Sequence, residues 1–326
     1  MMTVQSRPLP MRPRVRPGGL LPILAILGVL LVLVAVRQPD FFAPPSLMSF
    51  LGRSAPIILL AAGQYFVIVS GEFDLSIGSL VTAQAVIAAR LIDGEPARTW
   101  PVVLLLLGCG ALVGLVNGLI TTRLRVPSFI TTLGMFLILV GAVYYWSDGA
   151  PKGALSEEFR RFGRRAVEDV PLLGRIPYAL LVLLALGALA VLVARSDFGR
   201  TLVAVGDNPR TAELSGVRVW RHRTIAFVLS GVAAAVAAIL LGGYSGVSFQ
   251  AGAGLEFAAI TAVVLGGVAL GGGRGSVAGA MLGALTLELL LALMNFYGVS
   301  GALRSTVQGA IILLAVALSA SRSPSR

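Results

Sequence analysis

The sequence predicts an all-α polytopic membrane protein with about ten transmembrane helices. Of its 326 residues, 56% are hydrophobic, only 13% are charged, and the mean hydropathy is +0.89. A soluble domain carries about 25% charged residues, so this chain has too few ionic groups to cover a surface in water. Ten apolar stretches occur along the chain, each near the roughly 20 residues that a spanning helix needs. We therefore assign residues 20–321 to one membrane domain.

The candidate spans and the segments between them predict an orientation. The spans centre near Gly28, Leu60, Val81, Ala111, Phe136, Leu184, Val232, Val263, Leu285 and Leu313. Residues 1–19 interleave arginine with proline, which predicts a disordered basic tail. An even number of spans returns both termini to one side, and the arginine-rich loops identify that side as the cytoplasm. The loop at about residues 195–222 is then cytoplasmic, and residues 147–176 lie on the outer side.

Composition excludes several classes of function. The net charge is +11, but no soluble segment is long enough for a nucleic-acid-binding module, so loop arginines that fix orientation explain the charge better. One cysteine, Cys109, and one histidine, His222, exclude intrachain disulfides and the common zinc sites, and we expect no metal site. No phosphate-binding G-x-x-x-x-G-K-[ST] loop is present, so we expect no ATP hydrolysis and no cofactor in this chain.

Glycines recur every four residues in two series, Gly110, Gly114 and Gly118, and Gly271, Gly275, Gly279 and Gly283. This spacing places each series on one helix face, where backbones can approach closely. Packing inside one subunit is favoured over a dimer contact. Residues 110–114 and 279–283 also look alike and fall in spans four and nine, which run in opposite directions. The similarity raises the hypothesis of a 5+5 inverted repeat.

Residues 70–79 carry two carboxylates between two apolar runs. Placing a charged group at membrane depth costs free energy, so these carboxylates should have a structural or functional role. Gly71 suits the end of the preceding helix, and Asp74 suits the N-cap of a helix beginning at Leu75. Two interpretations stay open for Glu72, Asp74 and Ser76. The segment is either a capped break between two spans or a discontinuous helix beside a polar pathway or a subunit contact.

Other polar residues lie within apolar runs. Glu288 must find a partner or become protonated, either as a functional group or as one that is neutralised inside the bundle. Asn117 either lines a polar path or hydrogen-bonds helices together. The glycines and hydroxyls of residues 244–256 fit an outer loop somewhat better than the lining of a cavity.

A short helix is predicted within the longest cytoplasmic loop. Asn208 suits its N-cap, Pro209 its first position and Gly216 its C′ position, so only about two turns fit between them. A two-turn helix in water is marginal alone, so another structure should hold it. The spacing supports a plain connector and a docking site for a cytoplasmic partner equally.

Four segments resemble one known family. Residues 71–79 resemble the G-x-x-D-L-S-[VI]-G-S signature of ribose/xylose/arabinose-type ABC transporter permeases. Residues 126–134 resemble that family's V-P-[SA]-F-I-x-T-L-G, and residues 199–216 are similar to its G-R-x-x-x-A-x-G-x-N-x-x-x-A-x-x-S-G cytoplasmic loop. Residues 259–267 followed by 272–275 also fit, in the family's order. The chain departs from the family's more usual residues at Glu72 and Phe73.

The resemblance implies a function and its partners. The chain would be the inner-membrane permease subunit of an ATP-binding cassette importer of a monosaccharide. A second permease copy, an extracytoplasmic sugar-binding protein and a separate cytoplasmic ATPase that uses ATP would complete the transporter. The alternative from another class is an ion-coupled secondary transporter of a small polar solute, for which only Glu288 and Asp74 are candidate ion sites.

The resemblance also implies that the short cytoplasmic helix meets the ATPase. The residues assigned to this coupling are Asn208, Pro209, Arg210, Ala212, Glu213, Leu214 and Gly216. Ala212 is small and central, so we expect the ATPase to approach closely there. Leu214 offers an apolar contact, and Arg210 and Glu213 offer contacts at the rim.

Overall fold

The structure, a computed structural model, describes residues 20–321, and the predicted basic tail at residues 1–19 lies outside the described residues. The helices are α1 Leu21–Arg37, α2 Pro44–Val69, α3 Ile77–Ile92, α4 Thr99–Arg123, α5 Ser128–Trp146, α6 Glu157–Arg164, α7 Tyr178–Arg195, α8 Asp197–Asp207, α9 Pro209–Leu214, α10 Val219–Ser245, α11 Leu255–Leu265, α12 Val277–Phe296 and α13 Gly301–Ser321. Between α6 and α7, strands β1 Ala166–Val170 and β2 Gly174–Pro177 form an antiparallel hairpin.

The multi-pass helical architecture is confirmed. Each of the ten predicted centres falls in a separate helix, namely α1 to α5, α7 and α10 to α13. In the described part of the chain, six of these are long and apolar enough to cross a membrane: α2, α4 with the turn before it, α5, α7, α10 and α12. The helices α1, α3, α11 and α13 are apolar but shorter over their described residues. The count of ten spans therefore stays a prediction.

The connections between helices gather at two opposite ends of the bundle. The α9 end holds α8, α9 and the connections at residues 70–76, 124–127 and 266–276. The α6 end holds α6, the hairpin and the connections at residues 38–43, 93–98 and 246–254. At the α9 end, the backbone N–H of Gly273 donates to the carbonyl of Val69 at 2.9 Å. At the α6 end, Nε of Arg164 donates to the carbonyl of Tyr244 at 3.2 Å.

The glycines of α4 pack against α10 in the same chain, as predicted. A Cβ on Gly110 would lie 2.4 Å from the carbonyl oxygen of Gly231, and one on Gly114 would lie 2.3 Å from that of Phe227. The two helices therefore touch backbone to backbone. Gly283 approaches α11 in the same way, with its Cβ position 2.0 Å from the carbonyl oxygen of Ala262.

The prediction of one helical face for the whole second glycine series is wrong. Gly271 and Gly275 lie in the connection before α12, whose helix begins only at Val277. Gly275 has φ +126°, a conformation outside the helical region, so the series cannot continue as a helix through it.

Residues 147–176 contain structure that we did not predict. Ser156 caps α6 by accepting a hydrogen bond from the backbone N–H of Phe159 at 3.1 Å, and the Phe159 ring is fully buried. Phe162 packs on Trp100 with ring centroids 5.6 Å apart, so two aromatic rings anchor α6 on the end of the bundle, while the arginines of its last turn remain nearer the surface.

Candidate functional site

The chain breaks between α2 and α3, and glycine makes the break possible. Gly71 has φ +87°, a conformation that only glycine adopts readily, and its N–H donates to the carbonyl of Ile68 at 2.9 Å. The chain then continues without helical structure until α3 begins at Ile77. Gly71 therefore ends the preceding helix as predicted.

The predicted role of Asp74 as the N-cap of a helix at Leu75 is wrong. Its carboxylate accepts the backbone N–H of Ser76 at 3.0 Å, and this local bond holds the chain in a turn ahead of the helix. The helix starts two residues later than predicted, with Ser76 at the N-cap position and without a side-chain cap bond.

Asp74 is 1% exposed, and hydroxyl and amide donors satisfy its carboxylate. One oxygen accepts from the Ser76 hydroxyl at 2.6 Å, and the other accepts from the Ser230 hydroxyl of α10 at 2.9 Å. Asn117 of α4 donates to the Ser76 hydroxyl at 2.9 Å, and Gln64 of α2 donates to the Asp74 carbonyl at 3.2 Å. Side chains from three helices thus hold the break in place.

The break begins at the α9 end and reaches into the bundle at Asp74. Ser230 is eleven residues beyond Val219, the first residue of α10. At about 1.5 Å per helical residue, this places the Ser230–Asp74 contact about 16 Å from that end of α10. Backbone without helical structure at this depth is tolerated only where protein or an aqueous cavity covers it. Here the protein covers it, because Asp74 and Ser76 are both buried.

Glu72 has an arginine partner that the sequence did not reveal. Arg223, in the second turn of α10, lies 2.7 Å from the Glu72 carboxylate, and the two side chains are 21% and 12% exposed respectively. The pair neutralises a carboxylate that would otherwise be unfavourable at this position. It also fixes the start of the break to the end of α10 that adjoins α9.

A junction of four glycines, Gly71, Gly206, Gly272 and Gly273, connects the break to α8. A Cβ on Gly206 of α8 would lie 1.8 Å from the carbonyl oxygen of Val69, and one on Gly272 would lie 2.8 Å from the nitrogen of Gly71. Three segments that are distant in sequence therefore meet backbone to backbone. We call these four residues the glycine junction. No flexible side chain separates the segments at this junction.

The short helix α9 forms with the predicted residues at its two ends. The Asn208 side chain accepts from the backbone N–H of Thr211 at 3.0 Å, and Pro209 occupies the first position. Gly216 has φ +84°, and its N–H donates to the carbonyl of Glu213 at 2.9 Å. Both ends of the helix are therefore fixed.

The expectation of a close approach at Ala212 is wrong, because this residue faces the inside of the chain. Ala212 is 7% exposed and packs with Val205 of α8 and Val219 of α10. Spacing alone did not show which face of the two-turn helix docks on its own chain. The free face instead presents Leu214, which is 76% exposed, with the exposed side chains of Arg210 and Glu213 beside it.

The structure brings together four of the five predicted pathway or break residues. Glu72, Asp74, Ser76 and Asn117 lie at the break, whereas Glu288 lies on α12 and faces a cavity with Arg53 toward the α6 end. Sequence reasoning missed Ser230 and Arg223. A serine within an apolar run and an arginine at a helix end are both common, so neither gave a signal.

Comparisons with known proteins identify the family. A family model described as "branched-chain amino acid transport system / permease component" matches residues 46–316. The chain is 34% identical to the ribose import permease protein RbsC of Bacillus subtilis over 303 residues, which cover 91% of each chain. It is also 34% identical to the galactose/methyl galactoside import permease protein MglC of Escherichia coli over 321 residues, covering 93% of this chain and 94% of that protein.

A third relative, the autoinducer 2 import system permease protein LsrC of an Enterobacter species, is 34% identical over 298 residues, covering 91% of this chain and 84% of that protein. No solved structure matches the chain. The matched region includes the break, the glycine junction and α9. The chain therefore belongs to the family of ABC transporter permease components that its motifs resemble, and it is a multi-pass protein of the bacterial inner membrane.

Proposed function

We propose that the chain is the permease subunit of an ABC importer for a monosaccharide. The observation that carries the proposal is the similarity, over about nine-tenths of the chain, to permeases that are named for ribose and for galactose import. An extracytoplasmic binding protein delivers the sugar, two permease copies form the membrane core, and a separate cytoplasmic ATPase drives transport. Membership of an ABC transporter family favours this function over an ion-coupled secondary transporter.

We place the α9 end in the cytoplasm and assign α9 to the ATPase contact. The segment at residues 199–216 at this end resembles the cytoplasmic loop of the permease family, and this resemblance supports the orientation. The exposed residues Arg210, Glu213 and Leu214 form the contact face, and the buried Ala212 anchors α9 to α8 and α10. Asn208, Pro209 and Gly216 keep the helix rigid at its ends.

The glycine junction supplies a route from α9 to the helix break. Movement of α9 shifts α8, to which it is joined directly at Asn208. The shift then reaches the end of α2 through the contact of Gly206 with Val69, and it reaches the break through Gly71. The Glu72–Arg223 pair offers a second route, because Arg223 belongs to the helix on which α9 docks.

We further propose ten spans arranged as a 5+5 inverted repeat, relating α2 to α10, α3 to α11, α4 to α12 and α5 to α13. Helix packing supports this relationship. The helix α3 packs against α4, α5 and α10, and its counterpart α11 packs against α12, α13 and α2. Both α3 and α11 are short helices that follow a segment without helical structure, one at the α9 end and the other at the α6 end.

The two short helices also meet each other. A Cβ on Gly252, just before α11, would lie 1.9 Å from the carbonyl oxygen of Gly78 in α3. The similarity of residues 110–114 to 279–283 gives weaker support, because the α4 glycines face α10 whereas those of α12 face α11.

Vesicle reconstitution tests the proposed function. The permease is reconstituted with its ATPase and binding protein, and uptake of D-ribose and D-galactose is measured with ATP, with a non-hydrolysable ATP analogue and with a protonophore. The proposal expects uptake that needs ATP hydrolysis and the binding protein and that the protonophore leaves unchanged. Uptake that the protonophore abolishes without ATP consumption would instead identify a secondary transporter.

A further inference from the structure

A second polar feature lies apart from the helix break. A cavity of about 750 Å³ opens at the α6 end between the α1–α2 connection, α2, α12 and β2. This volume lies within the range of about 300–1,000 Å³ that is typical of small-molecule sites. Four charged side chains line it: Asp40, Arg53, Arg175 and Glu288.

Two of these charged residues lie on the spanning helices α2 and α12, two to three turns from the helix ends at the α6 end. Arg53 is nine residues beyond Pro44, the first residue of α2, and Glu288 is eight residues before Phe296, the last residue of α12. At about 1.5 Å per residue, the two lie about 14 Å and about 12 Å from the ends of their helices. Arg53 is exposed beside the contact of Gly52 with Pro177 of β2, and Glu288 is half-buried, so both side chains face the open cavity. Ionisable residues on spanning helices generally mark a functional site or face a watery cavity.

The side chains of Arg53 and Glu288 make no ion pair and no hydrogen bond with the described residues. Asp74 at the helix break is the opposite case, because protein donors satisfy its carboxylate. Arg53 and Glu288 are therefore available to a ligand, whereas Asp74 is not, and Arg175 already donates to the Ser49 hydroxyl at the cavity wall.

The chemistry of the lining selects a class of ligand. Two carboxylates, Asp40 and Glu288, balance two guanidinium groups, Arg53 and Arg175, so a solute with net charge gains no overall attraction. Carboxylates accept hydrogen bonds from hydroxyl groups, and guanidinium groups donate to hydroxyl and ring oxygens. A neutral molecule with many hydroxyls can use both kinds of group at once.

An aromatic wall completes the cavity. The Phe41 ring lies 5.1 Å from the Phe50 ring and 6.0 Å from the Phe296 ring, measured between centroids, and all three residues line the cavity. Apolar walls with a few convergent polar groups are the usual composition of a small-molecule site. The C–H faces of a sugar ring fit such a wall while the hydroxyls reach the charged groups.

We infer that this cavity binds a monosaccharide within a single permease chain, at a site separate from the helix break. Glu288 and Arg53 hold the sugar hydroxyls, and Asp40 and Arg175 lie nearer the mouth. The choice of a sugar rests on the proposed function, which also places the α6 end outside the cell. The site would then receive the sugar before it enters the membrane core.

Equilibrium dialysis of the permease alone tests the inference. Full-length protein in lipid nanodiscs, without ATPase or binding protein, is dialysed against radiolabelled D-ribose and D-galactose. We expect saturable binding of at least one sugar. In each of Glu288→Ala and Arg53→Ala the dissociation constant should rise about tenfold or more, because each change removes charge-assisted hydrogen bonds. Glu157→Ala on α6 removes a carboxylate at the same end outside the cavity, and it should bind like the wild type.

Other results overturn the inference. These are no saturable binding of either sugar, binding that both alanine variants retain in full, or displacement of the sugar by L-leucine at equal concentration. Native mass spectrometry that finds a phospholipid held by the wild type and lost in Glu288→Ala would also overturn it, since a headgroup would then fill the cavity. If either alanine variant fails to fold, Glu288→Gln and Arg53→Gln replace it and must still weaken binding.

Transport separates this inference from the proposed function. If the permease alone binds neither sugar while the assembled transporter imports one of them, the inference fails and the proposed function stands. If the permease binds sugar but the assembled transporter imports none, the proposed function fails and the site remains.

Discussion

Asp74 and Ser230 lie 156 positions apart in the sequence, and a 2.9 Å hydrogen bond joins them in the middle of the bundle. This bond fixes the non-helical segment after α2 to α10, the helix on whose first residue α9 packs. Any displacement of α10 relative to α2 must therefore stretch or break contacts at Asp74. Five predictions follow the contacts from this residue outward to α9.

The Asp74 side chain should act through hydrogen bonding rather than through its charge. Asp74→Asn keeps an oxygen for the Ser76 N–H, and its amide can donate to the Ser230 hydroxyl, so we expect near-normal folding and uptake. Asp74→Ala leaves the buried Ser76 N–H and two hydroxyls without their acceptor, and each unsatisfied buried group costs about 1–3 kcal/mol. Thermal unfolding in detergent and ATP-driven sugar uptake measure the two effects. A stable Asp74→Asn protein without uptake would instead show a need for the charge.

The two charges of the Glu72–Arg223 pair should be exchangeable between the two positions. Glu72→Arg and Arg223→Glu each place two like charges together, and each should lower uptake and thermal stability. The double variant with both changes restores an opposite-charge pair, and we expect a favourable coupling free energy of about 0.5–3 kcal/mol for contacting residues. A double-mutant cycle from unfolding midpoints gives this quantity. Strictly additive effects of the two changes would show that the contact contributes nothing.

The glycine junction should not tolerate one added methyl group. In Gly206→Ala the new Cβ would meet the Val69 carbonyl oxygen at 1.8 Å, so the backbone of α8 or α2 must move. Gly108→Ala is the matched control, because it also lies in a helix but has no atom within 4 Å of the Cβ position. We expect Gly206→Ala to lower sugar-stimulated ATP hydrolysis severalfold while Gly108→Ala leaves it unchanged. Equal activities would mean that the junction is too soft to carry movement.

The two faces of α9 should respond differently to substitution. Leu214→Ser alters only an exposed side chain, so the permease should fold normally but retain less ATPase in a pull-down. Ala212→Arg forces a charged side chain into the contact with Val205 and Val219, so it should detach α9 and lower thermal stability as well. Full ATPase retention by Leu214→Ser would place the contact on another face.

A further substitution tests the rigidity of α9 without altering either face. Gly216→Val should weaken ATPase retention, because a β-branched residue is strained at φ +84°. Gly28→Val, at a helical glycine with open space around it, is the comparison for the added side chain. If Gly216→Val retains the ATPase as well as Gly28→Val does, the end of α9 need not be rigid.

Residues that begin or end helices, and the lengths of the apolar stretches, made much of the fold predictable. Gly71, Asn208, Pro209 and Gly216 act at helix ends through neighbours only a few residues away, and the structure has each of them as predicted. The start of α3 was predicted two residues early. The carboxylate of Asp74 can bond either to a helix N-terminus or to the residue two positions on, and the sequence pattern is the same in both cases.

Long-range partners could not be predicted. Arg223 pairs with a carboxylate 151 positions away, and no spacing rule connects them. Ala212 illustrates a related difficulty, because a two-turn helix is too short to show an apolar face by periodicity. Its neighbours Val205 and Val219 decide which side is buried, and only the folded arrangement brings them together.

The burial of α2 has a consequence for biosynthesis. Every residue of α2 from Ser54 to Val69 is buried by protein, and α10, α11 and α12 supply much of that cover. The ribosome adds 227 residues after Val69 before Phe296 completes α12, which takes about 11–45 s at about 5–20 residues per second. During much of that interval α2 lacks the cover of α10, α11 and α12. We expect the nascent second helix to wait beside the insertion machinery until the C-terminal half of the chain arrives to enclose it.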